Sequence, residues 1–439
     1  MSENNYCVFY HDKKFHKYFL YHNNGLYEES NNKPDDKDSF EHSRLTKYSI
    51  NEKLEKGETI EIILKEYSNN INIWRNEILT SKNLIKEFDY FRYFEKDNGE
   101  RYINTNESNI MRFFRSYSSK IYTEDKFDKI VWNEYKWFEN NNNSALMRYK
   151  AGVYDTLGFD LKMAYPNILA SQLIINKEKQ NFYFPKKEGK NEKLKSLKML
   201  KYGLYHVKIH SDNEDFKMIF DINELNVYTH YDITFCQKYK ELFNISIELI
   251  IDGSYNALTW LNIYTINGES IFKPWLDRIQ DLKEEFPKNG LIKLMSSSIW
   301  GYLSKINKRF YNDEELDNHP EIKFDYYDND DINYLCLNEK ENKNGSMDYM
   351  LINKDKPYTK NYRIKPFLQS FTRLIMAEIA IEIGINKIVR INTDNITFDS
   401  DLLTQEDIKK LKNISPQFIQ EEKTTGSFEI VNMNKFIRL

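Results

Sequence analysis

Arg390-Ile391-Asn392-Thr393-Asp394-Asn395-Ile396-Thr397-Phe398-Asp399 is the stretch on which the reading of the chain turns. β-Branched residues alternate on either side of Asn392 to Asn395, and those four are turn formers, so the stretch predicts two β-strands joined by a tight turn. The turn carries Asp394 to the hairpin tip. A carboxylate held there is a good ligand for a hard cation such as Mg²⁺, which takes oxygen ligands and draws the remainder from phosphates. Asp and Asn are also ordinary turn residues, so the hairpin alone favours plain structure.

A second carboxylate in a matching context shifts that balance. In Gly158-Phe159-Asp160-Leu161-Lys162-Met163-Ala164-Tyr165-Pro166, the run Val153 to Leu161 reads as a strand and Tyr165-Pro166 opens a helix, which places Asp160 at a strand end. Two such carboxylates brought together can bind a pair of Mg²⁺ ions, one activating a 3′-hydroxyl and one neutralising a triphosphate. A third stretch, Lys293-Leu294-Met295-Ser296-Ser297-Ser298-Ile299-Trp300-Gly301-Tyr302, ends a helical pattern that runs from Ile271 through Trp275, Ile279, Leu282 and Phe286.

The order Asp-x-x-x-x-Tyr-Pro, Lys-x-x-x-Ser-Ser-x-Trp-Gly, Asn-Thr-Asp-Asn resembles motifs A, B and C of family B DNA polymerases, especially the protein-primed enzymes of phages and linear plasmids. The resemblance covers roughly Tyr149 to Leu439. Tyr149-Lys150-Ala151-Gly152 is similar to the Tyr-x-Gly-Gly/Ala element before motif A, and Arg373, in an expected helix Phe371 to Ile383, to the family's Ala-Arg helix. The resemblance implies an α+β fold: a palm of antiparallel sheet with helices, helical fingers, and a mixed, mainly helical N-terminal domain. It implies Mg²⁺, with Mn²⁺ as the alternative ion, held by Asp160, Asp394 and the Leu161 carbonyl. Lys293 would bind the triphosphate; Tyr165 would lie under the sugar and exclude ribose; Ser297, Trp300 and Gly301 would shape the nucleotide pocket. Tyr149, Lys150, Gly152, Arg373 and Thr393 would contact DNA.

Departures from the family pattern accompany the matches. Asn392 stands at the first acidic position of motif C and Asn395 at the usual Ser; Met163-Ala164 replaces Ser-Leu; Ser297 replaces Asn and Trp300 replaces Tyr. In the family the second Asp is the firm ligand, and that position is Asp394 here. The 3′-5′ exonuclease common in the family needs Asp-x-Glu on a strand, and none occurs before Tyr149, so the N-terminal region is expected to bind DNA, a partner or a primer rather than proofread.

Composition bounds the rest. A chain of 439 residues with 15% aromatic content has ample material for two or three packed domains. The net charge of −4 gives no global basic signature, so any DNA path must be a local basic stripe. Three unpaired cysteines, Cys7, Cys236 and Cys336, point to a reducing, cytoplasmic compartment, and no apolar run is long enough for a membrane span.

The expected organisation is an N-terminal domain over 1–145, palm over 146–264, fingers over 265–305, and palm again over 306–439 with a polar, acidic insertion at 311–347. Within it, Tyr6–Tyr10 and Phe15–Tyr21 read as a hairpin, Asn31–Asp38 as a linker, and Leu54–Phe88 as helix, with Arg112, Arg115 and Lys120 on helices beyond. Leu204–Ser211 and Phe216–Ile222 read as paired strands, Tyr231–Phe243 as helix, and Ile245–Asp252 as strand. Lys186–Lys201 is a lysine-rich loop able to touch phosphate and equally able to be a solvated surface. Gly426–Ile430 and Lys435–Leu439 read as final palm strands with no thumb after them. The expected partners are primer-template DNA, deoxynucleoside triphosphates, a terminal or priming protein and a separate thumb-like subunit. Two alternatives stand beside the templated polymerase: a template-independent nucleotidyltransferase, and a catalytically silent palm serving as a DNA-binding scaffold.

Overall fold

The computed structural model describes residues 127–141, 143–285, 290–329, 332–342, 345–433 and 435–438, with shorter stretches at 7–12, 17–22, 27–30, 39–41, 93–95, 101–103, 111, 113–115 and 117–118. The expected linker Asn31–Asp38, the expected helix Leu54–Phe88, and Arg112 and Lys120 lie outside these residues. The fold is α+β, and the chain divides into two compact units, Met1–Phe113 with Asp281–Met295 and Phe114–Gln280 with Ser296–Leu439.

In the first unit the expected hairpin forms from Cys7–Asp12 and Lys17–His22, with Cys7 opposite His22. Tyr27–Ser30 adds to one edge and Ser39–Glu41 pairs parallel to the first strand, giving a four-stranded sheet.

The second unit is built on the strand Gly152–Leu161, which is paired along both sides. On one side lies Asn395–Asp399, antiparallel, with Asn395 opposite Asp160 and Asp399 opposite Thr156. That strand returns through Thr393-Asp394 to Ile388–Asn392, which in turn pairs with Met147–Tyr149. On the other side Phe418–Gln420 pairs with the end of the strand and Gly426–Asn432 with its beginning, and Lys435–Arg438 lies outermost. The result is a seven-stranded sheet in which every pairing is antiparallel.

Gly158 marks the point where the edge partner changes. Between the two partner strands the loop Glu421–Thr425 crosses over it: the Glu421 N–H donates to the Gly158 carbonyl at 2.8 Å, and the Gly158 N–H donates to Thr425 Oγ1 at 3.1 Å. A Cβ on residue 158 would lie 1.8 Å from Thr424 Oγ1 and 2.8 Å from the Thr424 carbonyl oxygen, so only glycine admits this approach.

Helices cover the sheet. Ile364–Ile383 buries Phe367, Leu368, Ile375, Met376 and Ile379 and packs on His230–Lys238 and on Ala164–Leu169. A hydroxyl pair, Thr229 Oγ1 and Ser370 Oγ at 2.7 Å, locks the first of these contacts. A fully buried ion pair fixes the start of the long helix: Arg363 Nε and Nη2 donate to Glu134 Oε1 and Oε2 at 2.9 and 2.5 Å, while Nη1 and Nη2 also reach the Asp128 and Lys129 carbonyls.

A second sheet carries Lys190–Glu192, Ala257–Trp260, Tyr202–His210, Val227–Thr229 and Ser246–Leu249. The expected strand Phe216–Ile222 is instead the helix Glu214–Ile219. Its signal was chemical rather than periodic: the Asn213 side chain caps the Phe216 N–H, Glu214 and Asp215 favour the positive end of the helix, and Phe216 and Ile219 share its buried face. The expected helix from Tyr231 runs only over His230–Lys238. The acidic insertion is a sheet in its own right, ordered Lys308–Asn312, Met347–Asn353, Tyr334–Glu341, Phe324–Asp325. Among the described residues no helix is long and apolar enough to cross a membrane.

Two substitutions test this account. Gly158→Ala should destabilise the protein by about 1–3 kcal/mol through overpacking against Thr424. Glu134→Ala should cost about 3–5 kcal/mol by leaving the Arg363 guanidinium buried without its counter-charge. Chemical denaturation reads both.

Candidate active site

The hairpin and the central strand bring two carboxylate-bearing residues to one end of the sheet. Asp160 is the penultimate residue of its strand, flanked by Asn395 on one side and Ile419 on the other. The next residue, Leu161, donates its N–H to the Asp394 carbonyl at 2.9 Å, so the hairpin tip is hydrogen-bonded to the strand that carries Asp160. Thr393 takes φ 63° and donates its N–H to the Leu146 carbonyl at 2.9 Å. A β-branched residue in the left-handed region is strained, and Met163, just beyond Leu161, is left-handed too at φ 53°. Asn167 holds that second bend, its side-chain amide donating to the Lys162 and Met163 carbonyls at 2.8 and 3.1 Å. Backbone strain thus sits on both chain segments that present the carboxylates.

Asp394 is half-buried rather than fully exposed at a turn tip. Burial raises its carboxyl above the ordinary carboxylate range, opposed by a hydrogen bond from its own backbone. Tyr165, in the first turn of Ala164–Leu169, feels the same surroundings: burial, then the Asp394 charge, push its phenol up to about 12, with Arg373 acting the other way. The phenol therefore stays protonated across the neutral range. Its ring lies 5.2 Å from that of Trp300, tilted by 32°.

Trp300 is carried by the helix Gly290–Leu303, which also carries Lys293, Ser297 and Gly301. Ser297 is exposed, and a Cβ on residue 301 would meet nothing within 4 Å, so Gly301 faces open space. Lys293 is exposed and belongs to the unit formed by Met1–Phe113 and Asp281–Met295.

The residues expected to contact DNA separate into different settings. Thr393 lies at the hairpin tip beside Asp394, and Tyr149, exposed, pairs with Arg390 one strand away. The Lys150 ammonium reaches the Ile385 and Asn386 carbonyls at 3.4 and 3.3 Å. Gly152 begins the central strand eight residues before Asp160, about 26 Å away along an extended chain. Arg373 is enclosed: its side chain is 4% exposed, pairs with Asp232 at 3.1 Å and donates to the Asn143 and Ser144 carbonyls. It ties the approach to Met147–Tyr149 to the helix His230–Lys238 and acts on Tyr165 only through its charge.

Sequence reasoning missed Asn395 as a structural member of the site. It is buried directly opposite Asp160, accepting from Thr397 Oγ1 at 3.2 Å and donating to Thr424 Oγ1 at 3.5 Å. The signal was available, since a two-residue loop forces Asn392 and Asn395 into register.

The donor set fits a hard cation. Two aspartates on adjoining segments match Mg²⁺, which is bound through one or two carboxylates and completed by water and phosphate oxygens. Among the described residues no group of three or more His, Cys, Asp or Glu side chains could hold a metal, which is the arrangement a protein-only cage would need.

No family model and no curated protein matches the chain. Among solved structures it is similar to phi29 DNA polymerase complexed with single-stranded DNA, at 14% identity and a TM-score of 0.48 over 75% of this chain. It is also similar to the same polymerase complexed with primer-template DNA, a post-translocation binary complex, at 15% identity and a TM-score of 0.44 over 70% of this chain. The chain spans about half the length of these structures, 54% and 49% respectively.

The raised Asp394 carboxyl carries a stability consequence. Between its unfolded value near 3.8 and its higher folded value the native state binds more protons than the unfolded one, so the contribution of Asp394 to stability falls as pH rises. Asp394→Asn should therefore raise the metal-free melting midpoint at neutral pH, and the gain should vanish at acid pH, where the wild-type carboxyl is protonated. Thermal melts in chelator across pH measure this.

Proposed function

We propose that the chain is a nucleotidyltransferase of the DNA polymerase kind, with palm and fingers of the protein-primed family B type, joining deoxynucleoside monophosphates from their triphosphates to a 3′-hydroxyl on a DNA template. The observation that carries this reading is the juxtaposition of the two aspartate segments: Asn395 in register with Asp160, and the Leu161 N–H on the Asp394 carbonyl. Bound Mg²⁺, held by Asp160, Asp394 and the Leu161 carbonyl, would supply charge neutralisation of the triphosphate and activation of the attacking hydroxyl.

The chain's own groups have separable tasks. Asp160 and Asp394 hold position because the strand ladder and the strained turns fix their backbones, which is the preorganisation that phosphoryl transfer needs. Tyr165, neutral and backed by Trp300, presents a flat ring where a sugar would lie and rejects a 2′-hydroxyl by shape. The family resemblance assigns Lys293 the role of a point charge for the triphosphate. Ser297 and Gly301 border the nucleotide. A priming protein and a thumb-like partner belong to the same reading.

One observation favours a second reading. Asn392 occupies the position where the family carries its first motif C carboxylate, and it is half-buried opposite Met147, which suits a silent scaffold.

Incubation with labelled nucleotides, Mg²⁺ and primed template separates the two. The wild type should incorporate label; Asp160→Ala and Asp394→Ala should each abolish incorporation while still unfolding cooperatively. No incorporation by the wild type with Mg²⁺ or Mn²⁺ selects the scaffold. Tyr165→Ala should let ribonucleotides compete with deoxyribonucleotides, measured by product ratios in mixed pools; equal use of both by the wild type removes the sugar-sensing role.

A further inference from the structure

In a chain of net charge −4, the segment from Lys186 to Lys201 holds seven lysines and two glutamates. Lys187 is paired with Asp128 and Lys201 with Glu192. Lys193 lies over the Tyr255 ring, 5.5 Å from its centroid, and reaches the Gly253 carbonyl. Lys186, Lys190, Lys195 and Lys198 form no ion pair among the described residues, and the last three are exposed.

The track beside these lysines is apolar and aromatic. Tyr183–Pro185 pairs antiparallel with Thr265–Asn267, the Lys186 N–H donates to the Tyr264 carbonyl at 2.9 Å, and Lys190–Glu192 pairs antiparallel with Ala257–Trp260. No charged residue occurs between Tyr255 and Asn267. Instead Leu261 and Ile263 stand exposed, and so in part do three tyrosines: Tyr183 at 40%, Tyr264 at 39% and, with Lys193 over one side of its ring, Tyr255 at 56% exposure.

A charged loop that merely keeps a surface solvated interleaves acids with its lysines. Here positive charge without ion-pair partners runs beside exposed tyrosines, which is the combination that holds a single strand: cations follow the phosphates and rings stack on unpaired bases. A duplex would use the lysines and leave the rings idle.

We propose that the ridge formed by residues 183–201 and 255–264 binds single-stranded nucleic acid, separately from the Asp160–Asp394 end of the large sheet. The choice of nucleic acid over other polyanions rests on the nucleotidyl-transfer reading of that end. On this ridge an unpaired stretch of template or displaced strand is retained while the reaction site handles the 3′-end.

The test is fluorescence anisotropy of the full chain with labelled oligothymidine and with a duplex of equal length, over a salt series in chelator, so that metal-dependent binding is silent. Replacing Lys186, Lys190, Lys195 and Lys198 together by Gln should weaken single-strand binding about tenfold or more and flatten the log–log salt slope by about 0.7 per lysine. The double variant Tyr255→Ala, Tyr264→Ala should weaken single-strand binding with the slope unchanged and leave duplex binding as it was. Wild-type affinity and slope in the lysine variant would overturn the proposal, and so would equal loss of single-strand and duplex binding in the tyrosine variant. If these results hold while the wild type incorporates no nucleotide, the reaction-site reading fails alone; if incorporation holds and the ridge variants bind normally, the ridge fails alone.

Discussion

Register is the constraint on which the second unit depends. Side chains alternate along a strand, so slipping Asn395–Asp399 by one residue against Gly152–Leu161 would turn every side chain to the opposite face. Asp160 would then no longer face Asn395, and the hairpin tip would move away from Leu161. The alternation is held near the Asp160 end of the strand. Phe159 stacks on Phe418 and meets Phe398 edge-on, and at the loop crossing Gly158 accepts nothing larger than hydrogen. A sheet with one admissible register offers one geometry for its two aspartates.

Around that sheet, charge is buried in places where it sets position. Arg363 with Glu134 and Arg373 with Asp232 each use a guanidinium to gather carbonyls from separate segments, 128–129 and 143–144. Buried pairs of this kind are weak sources of net stability but costly to break, because the remaining partner has no water to turn to. Both arginines sit on the same long helix or at its start, which makes that helix the common reference for the segments leading into Met147–Tyr149.

Much of this was legible in the sequence. The Asp394 hairpin, the Asp160 strand and the helix opening at Tyr165 carried strong local signals: turn formers between β-branched runs, and proline in a first helical turn. What stayed hidden was set by tertiary structure. Phe216, Met218, Phe220 and Ile222 alternate as in a strand, and the capping Asn213 decided otherwise for Glu214–Ile219. The Arg373 side chain gives no sign in sequence of whether it points to solvent or to Asp232. Asp394 reads as a surface turn residue, yet long-range packing half-buries it and alters its acidity. The insertion at 311–347 reads as polar loop because its strands are exposed on much of their surface and lack a clean apolar period.

The partners of the central strand also have a bearing on how the molecule comes into being. Gly152–Leu161 is completed by residues 395–399, 418–420 and 426–430, more than two hundred positions downstream. Contacts of such sequence separation must close a long loop before they yield any favourable energy, and they form slowly. During synthesis the strand bearing Asp160 therefore waits with both edges unpaired until the distal third of the chain has emerged. Exposed edges of this kind invite wrong pairing. The candidate site is thus a product of late, global closure, and nascent chains halted between residues 400 and 417 carry both aspartates with the central strand paired along one side alone.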